Sequence, residues 1–116
     1  MNRLVIERLL DITAAAALAR EHARSTGSEQ LFASAKERDA ALYQLAVIGE
    51  AVTHLPVHLQ ALEPGIPWAQ IRWMRNHIVH AYWQIDFGII TAVIEMHLGP
   101  LTAAVERLIA ITENDV

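Results

Sequence analysis

The chain contains no cysteine among its 116 residues, which removes a disulfide framework, thiolate metal sites and a thiol nucleophile from consideration. Proline (4) and glycine (5) are scarce and clustered, so long stretches lack the residues that break helices. Aromatic residues make up only 6%, and no apolar/polar alternation of the strand type stands out. Basic charge is also in short supply: 9 Lys and Arg against 13 Asp and Glu give a net charge of -4. Proteins that hold nucleic acid through a broad electrostatic footprint are usually basic, so a nucleic-acid role here would need a small local site, and no DNA partner is expected. Long hydrophobic runs are missing too. The longest candidate, residues 88–105, is interrupted by Glu95, His97 and the Gly99-Pro100 pair, which falls short of the roughly 18 apolar residues a span needs. No membrane association is therefore expected. Arg3, Glu7, Arg8 and Asp11 in the first turns do not fit a secretory signal, and a cytoplasmic location is the simplest expectation. What the chain has in quantity is apolar side chain, 53% against 19% charged. That suffices for one core, excludes disorder, and fits a single domain over residues 1–116. The surplus predicts a homodimer formed through one helix face.

The periodicity is helical throughout. Val5, Leu9, Ile12, Ala16 and Ala19 recur at steps of three and four, predicting an amphipathic helix over residues 2–23. A loop is expected at Ser25-Thr26-Gly27-Ser28, with a helical turn over residues 29–33. Ser34 followed by Glu37 has the form of a capping box, so a second helix should start there and bury Ala41, Leu45, Ile48, Val52 and Leu55 before Pro56 stops it. After a connection with a turn around residues 58–62, Pro67 suits the first turn of a third helix, with Ile71, Met74, Ile78 and Ala81 inward. Asp86 reads as the N-cap of a fourth helix running to about Thr112, with Ile90, Ile94, Leu98, Leu101, Val105 and Leu108 inward. Pro100, lacking an amide donor, predicts a kink in it, and residues 113–116 are expected to fray. The fold class is all-α, a bundle of four main helices.

Chemistry concentrates in residues 68–86, which read WAQIRWMRNHIVHAYWQID. The stretch holds all 3 tryptophans, together with Arg72, Arg75, His77, His80 and Tyr82. Asn76 and His80, four apart, share one helix face; Arg75 and Tyr82, seven apart, share another. Arg75 and His80 lie about 140° apart on an ideal helix. Basic residues near a helix C-terminus commonly just complement the helix dipole, and aromatic residues beside an apolar stripe are most often core. Alternatively, an arginine that neutralises a phosphodiester and a histidine that moves a proton near neutral pH make a phosphate-handling group.

Arg75, four intervening residues, His80, one residue and Tyr82 resemble the signature of HepT toxins in the HEPN superfamily of helical ribonucleases. Asn76 fits the Arg-Asn pair common there. Ile48-Gly49-Glu50-Ala51 with Leu55-Pro56, then Ile66-Pro67-Trp68, Ile71, Met74 and Ile85-Asp86, follow in the family's order, so the likeness spans residues 48–86. It implies an antiparallel HEPN bundle of four to five helices with a kinked last helix, dimeric, with two sites in a shared cleft. It implies the toxin of a type II/VII-like toxin–antitoxin pair: an endoribonuclease needing neither metal nor cofactor, which cleaves tRNA or mRNA through attack by the RNA 2′-hydroxyl. His80 would be general acid or base, Arg75 would stabilise the charged phosphate in the transition state, and Asn76 would orient the phosphate or His80. The partner implied is an MntA-type minimal nucleotidyltransferase antitoxin that silences the toxin by AMPylation of Tyr82, adding charge and bulk beside Arg75. Ala81 stands where the family's motif often has glycine, which has freer access to positive φ.

Other residues read as structural. His77 is expected to be exposed, and His22 and His97 to be isolated. His54 and His58 are four apart, but Pro56 between them argues against a shared metal. Glu50 suggests a surface or helix-pairing charge, or one lining a cleft. Trp68, Trp73 and Trp83 are capable of stacking on bases, and Trp68 is assigned to packing. The alternative to an enzyme is a non-catalytic helical interaction module, a degenerate HEPN domain that binds a nucleotidyltransferase.

Overall fold

The first helix, α1 (Asn2–Thr26), packs along both α2 (Ala35–Thr53) and the C-terminal helix α6 (Leu98–Asn114). The computed structural model describes residues 2–26 and 35–114, and no strand occurs among them. Ser25 and Thr26 continue α1 and are not part of a loop. The expected helical turn at 29–33 and the Ser34 half of the capping box lie outside the described residues. Glu37, its other half, is 3.0 Å from His22 Nδ1 through its carboxylate, so His22 is a link between α1 and α2 and not an isolated residue.

The apolar stripes form one core. Leu9, Ile12, Ala16 and Ala19 of α1 meet Ala41, Leu45, Ile48 and Val52 of α2, all nearly solvent-free, and Leu98, Leu101, Val105 and Leu108 of α6 close the core. The α2 helix ends at Thr53, before Pro56, because the residue preceding a proline is pushed out of the helical region. A short helix α3 (Val57–Gln60) follows.

The corner after α2 is tied by Gln60. Its buried side-chain amide donates to the carbonyls of Val52 (3.3 Å) and Leu55 (3.1 Å), and its side-chain oxygen accepts from Arg72 at 2.8 Å. The Trp68 indole donates to the Gln60 backbone carbonyl at 2.9 Å, so Trp68 does pack, with its polar edge satisfied. Gln60→Ala leaves the Leu55 carbonyl without its amide and Arg72 without its acceptor. It is expected to cost about 1–3 kcal/mol, read as a lower urea midpoint with an unchanged slope.

Pro67 precedes α4 (Trp68–His80) as its N-cap, one position earlier than expected, and its carbonyl accepts from Ile71 at 3.1 Å. Ile78 is buried, while Ile71, Met74 and Ala81 are only half-buried. A 3-10 turn (Tyr82–Gln84) follows. Asp86 then caps α5 (Phe87–Ala92), accepting from the amides of Gly88 (2.8 Å) and Ile89 (3.3 Å).

The chain from Phe87 to Asn114 is one continuous 28-residue helix, which bears on two expectations. Gly99-Pro100 does not interrupt it, so a helix long and apolar enough to cross a membrane does exist. Its Ile90, Ile94, Leu98 and Leu101 nonetheless lie in the protein core. The irregularity expected at Pro100 takes the form of a π turn at Val93–His97, upstream of it. A proline ring crowds the carbonyl four residues back, here Met96, and widening the turn gives that carbonyl room. Glu113 and Asn114 are still helical.

Candidate active site

The α2 and α4 helices run antiparallel and touch at backbone distance. A Cβ placed on Gly49 would lie 2.6 Å from Arg75 Cβ and 2.9 Å from the Ile71 carbonyl oxygen. Glycine is therefore required there sterically, and the approach brings Arg75 onto α2. Its guanidinium Nε is 3.3 Å from Glu50 Oε2, and its NH1 donates to Asn76 Oδ1 at 3.0 Å. Glu50 Oε1 lies 3.2 Å from His54 Nε2, so His54 is engaged by a carboxylate and not by His58. The string Ile48-Gly49-Glu50-Ala51 thus has a physical sense: Ile48 and Ala51 fill the core, Gly49 admits α4, and Glu50 holds the arginine. Glu50 also lines a cleft of about 390 Å³ with Leu4, Val5, Arg8 and His54, so it is both a helix-pairing and a cleft-lining charge.

His80 is the last residue of α4, exposed. Among the described residues no side-chain hydrogen bond joins its imidazole to Arg75, Asn76 or Tyr82. The structure brings Arg75 and Asn76 together and leaves the histidine free on another side of the helix, as the 140° separation implies. His77 is half-buried, not exposed, with its ring stacked on Trp73 at a centroid distance of 4.8 Å.

Tyr82 turns back to the start of α2. Its hydroxyl donates to Asp39 Oδ1 at 2.6 Å. Arg38 binds the same oxygen through Nε at 3.1 Å and holds its guanidinium 5.7 Å from the Tyr82 ring centre and 5.4 Å from that of Phe87. Ala81, which leads into the turn, has φ −136° and ψ 37°. With φ negative, the conformation does not require the glycine the family often has there. Neither Arg38 nor Asp39 was singled out by sequence. They are 43 residues from Tyr82 at the Asp39 contact, and only the antiparallel pairing of α2 with α4 joins them.

The Tyr82 bond, and then Arg38, hold the Asp39 carboxyl below the usual carboxylate range. The same bond to Asp39 pushes the Tyr82 phenol above the usual tyrosine value. A lowered carboxyl contributes stability that fades as pH falls through its folded pKa, and a raised phenol contributes stability that fades as pH rises through its own. The contact is therefore strongest between those limits. Asp39→Asn removes the charge that opposes phenolate formation, so Tyr82 is expected to ionise at lower pH, seen in the near-ultraviolet absorbance titration against a Tyr82→Phe blank.

No group of three His, Asp or Glu side chains is placed to hold a metal among the described residues. The arrangement offers a positioned guanidinium, a free imidazole and a hydrogen-bonded phenol along one helix and the turn after it.

A family model described as Ribonuclease HepT-like matches residues 12–108. The "Probable ribonuclease HepT" of Thermococcus cleftensis is 30% identical over 108 residues, 93% of this chain and 98% of that one. A Methanocaldococcus jannaschii protein named "Gamma-glutamylcyclotransferase and putative RNase" is 24% identical over 91 residues, 78% of this chain but only 41% of its own length. A "Putative RNase" of Caldanaerobacter subterraneus subsp. tengcongensis is 31% identical over 65 residues, covering 56% of this chain and 58% of the relative. No solved structure gives a significant match.

The family match over most of an all-helical bundle defines a HEPN-type protein of the endoribonuclease class. Within that class, the chain belongs to the Ribonuclease HepT-like family.

Proposed function

We propose that the protein is the toxin of a two-component system, a metal-independent endoribonuclease acting on tRNA or mRNA from the cytoplasm. The observation that carries this reading is the fixing of Arg75 against α2 by Glu50 and Asn76, with His80 exposed and unbonded at the end of the same helix. In the proposed reaction the RNA 2′-oxygen attacks the adjacent phosphorus and the bond to the 5′-oxygen breaks. His80 takes the 2′-hydroxyl proton or delivers one to the departing 5′-oxygen. Arg75 stabilises the extra charge on the phosphorus-centred transition state, and Asn76 orients either the phosphate or the arginine. The products are a 2′,3′-cyclic phosphate and a 5′-hydroxyl. Two copies forming a shared cleft would place a second histidine near each arginine. Exposed Val79, Trp83, Ile89 and Met96 supply apolar surface for such a dimer.

The antitoxin in this reading is an MntA-type nucleotidyltransferase. The Tyr82 oxygen attacks the α-phosphorus of ATP, pyrophosphate leaves, and the tyrosine proton passes to solvent. The product carries an added phosphodiester charge and an adenosine on the turn that follows the helix of Arg75 and His80.

Cleavage of a tRNA pool in EDTA, with cyclic phosphate ends on the fragments, is the expected result for the purified chain. Intact RNA, together with an intact mass showing no AMP on Tyr82, would favour the non-catalytic interaction module.

A further inference from the structure

All 13 acidic residues of this acidic chain lie outside α4. The helix instead carries Arg72, Arg75, His77 and His80, which makes it the segment of the described chain best suited to a polyanion. One of its faces is also aromatic. At 100° per residue, Trp73, His77 and His80 fall within about 60° of each other, on a different side from Arg75. The Trp73 indole is 61% exposed and stacks on the half-buried His77 ring, with 20° between the planes. A side chain so exposed contributes little to the core. Supported from beneath by the imidazole, it presents a flat, pre-ordered π surface on the stripe that ends at His80.

We propose that the Trp73–His77 pair is a base-stacking platform. It would take one unpaired base of an RNA strand whose neighbouring phosphate lies at His80. The proposal rests on the ribonuclease reading above and adds to it how single-stranded RNA is held. Stacking on an aromatic side chain is indifferent to base identity, so the platform positions a strand without fixing its sequence. Because neither ring touches the reacting atoms, Trp73 is a positioning residue. It should govern how tightly RNA binds more than how fast bound RNA reacts.

The test uses a short single-stranded oligonucleotide in two forms, unmodified and 2′-O-methylated; the second has no free 2′-hydroxyl to attack. Binding of the methylated form to the intact protein should weaken by about 5- to 150-fold in Trp73→Ala, the range spanned by loss of one stacked base, and should be restored in Trp73→Phe. The quenching of tryptophan fluorescence on binding should fall in Trp73→Phe although affinity is kept. On the unmodified form, Trp73→Ala should raise KM far more than it lowers kcat.

Equal affinity of Trp73→Ala and wild type would overturn the platform, as would failure of wild type to bind the methylated strand. A change of oligomeric state in Trp73→Ala by sedimentation would also overturn it, by showing that the indole packs on protein. If wild type binds through Trp73 yet leaves unmodified RNA intact, the platform stands and the ribonuclease reading fails. Cleavage indifferent to Trp73 sinks the platform alone.

Discussion

His80→Ala is expected to lower single-turnover RNA cleavage by about 10²- to 10⁴-fold, the usual contribution of a positioned general acid or base. The melting temperature should hardly move. The His80 side chain is exposed and makes no hydrogen bond among the described residues, and substitutions at such positions commonly change stability by less than about 0.5 kcal/mol. That separation makes the result readable, since activity falls without loss of fold. Arg75→Ala should be comparably inactive but less clean, because it also leaves Glu50 without its cation. Arg75→Lys should recover little, since a point charge lacks the fork that meets both carboxylate and phosphate. A His80→Ala protein that cleaves at the wild-type rate would remove this histidine from the chemistry, whatever became of Arg75.

Gly49→Ala should be the most damaging methyl group that can be added to the helices. Alanine gains about 0.5–1 kcal/mol over glycine inside a helix. Here the new carbon would sit 2.6 Å from Arg75 Cβ and 2.9 Å from the Ile71 carbonyl. Neither is the movable end of a flexible side chain, so α4 itself must retreat. Overpacking of this kind costs about 1–3 kcal/mol and outweighs the propensity gain. A drop of several degrees in melting temperature is expected, at roughly 4–8 °C per kcal/mol for a domain near this size. Cleavage should fall as well, since Arg75 moves with the helix. Gly99 is the internal control: a Cβ there meets nothing within 4 Å, so Gly99→Ala should be neutral or stabilising. If the two variants melted together, close approach at Gly49 would not be what limits the fold.

The helices were legible because apolar residues recur at helical steps, and nearly every residue assigned to the core of α1, α2 and the last helix is buried. Asp86 could be read as a cap because capping is local chemistry between a side chain and amides two and three residues on. What spacing did not reveal depends on which helix lies beside which. Asp39 at Tyr82, Glu50 at Arg75 and Gln60 under Trp68 and Arg72 are all partnerships across a helix junction. Pro100 illustrates a different limit. Its missing amide was visible, but the place where the crowding is relieved, a wider turn upstream at Val93–His97, was not. The candidate site residues stood out through the likeness of residues 48–86 to HepT proteins; their angular positions on the helix alone argued for nothing specific.

The α2 helix also sets a length. Asp39 and Glu50 are eleven residues apart, which on an α-helix is about 16 Å of rise and within about 20° of the same azimuth. One carboxylate holds Tyr82 and the other holds Arg75, so a single straight element gauges the gap between the two side chains. Inserting one residue into α2 between them would swing one carboxylate by about 100° around the helix. Tyrosine and arginine could then no longer both be held, even with every residue of α4 unchanged.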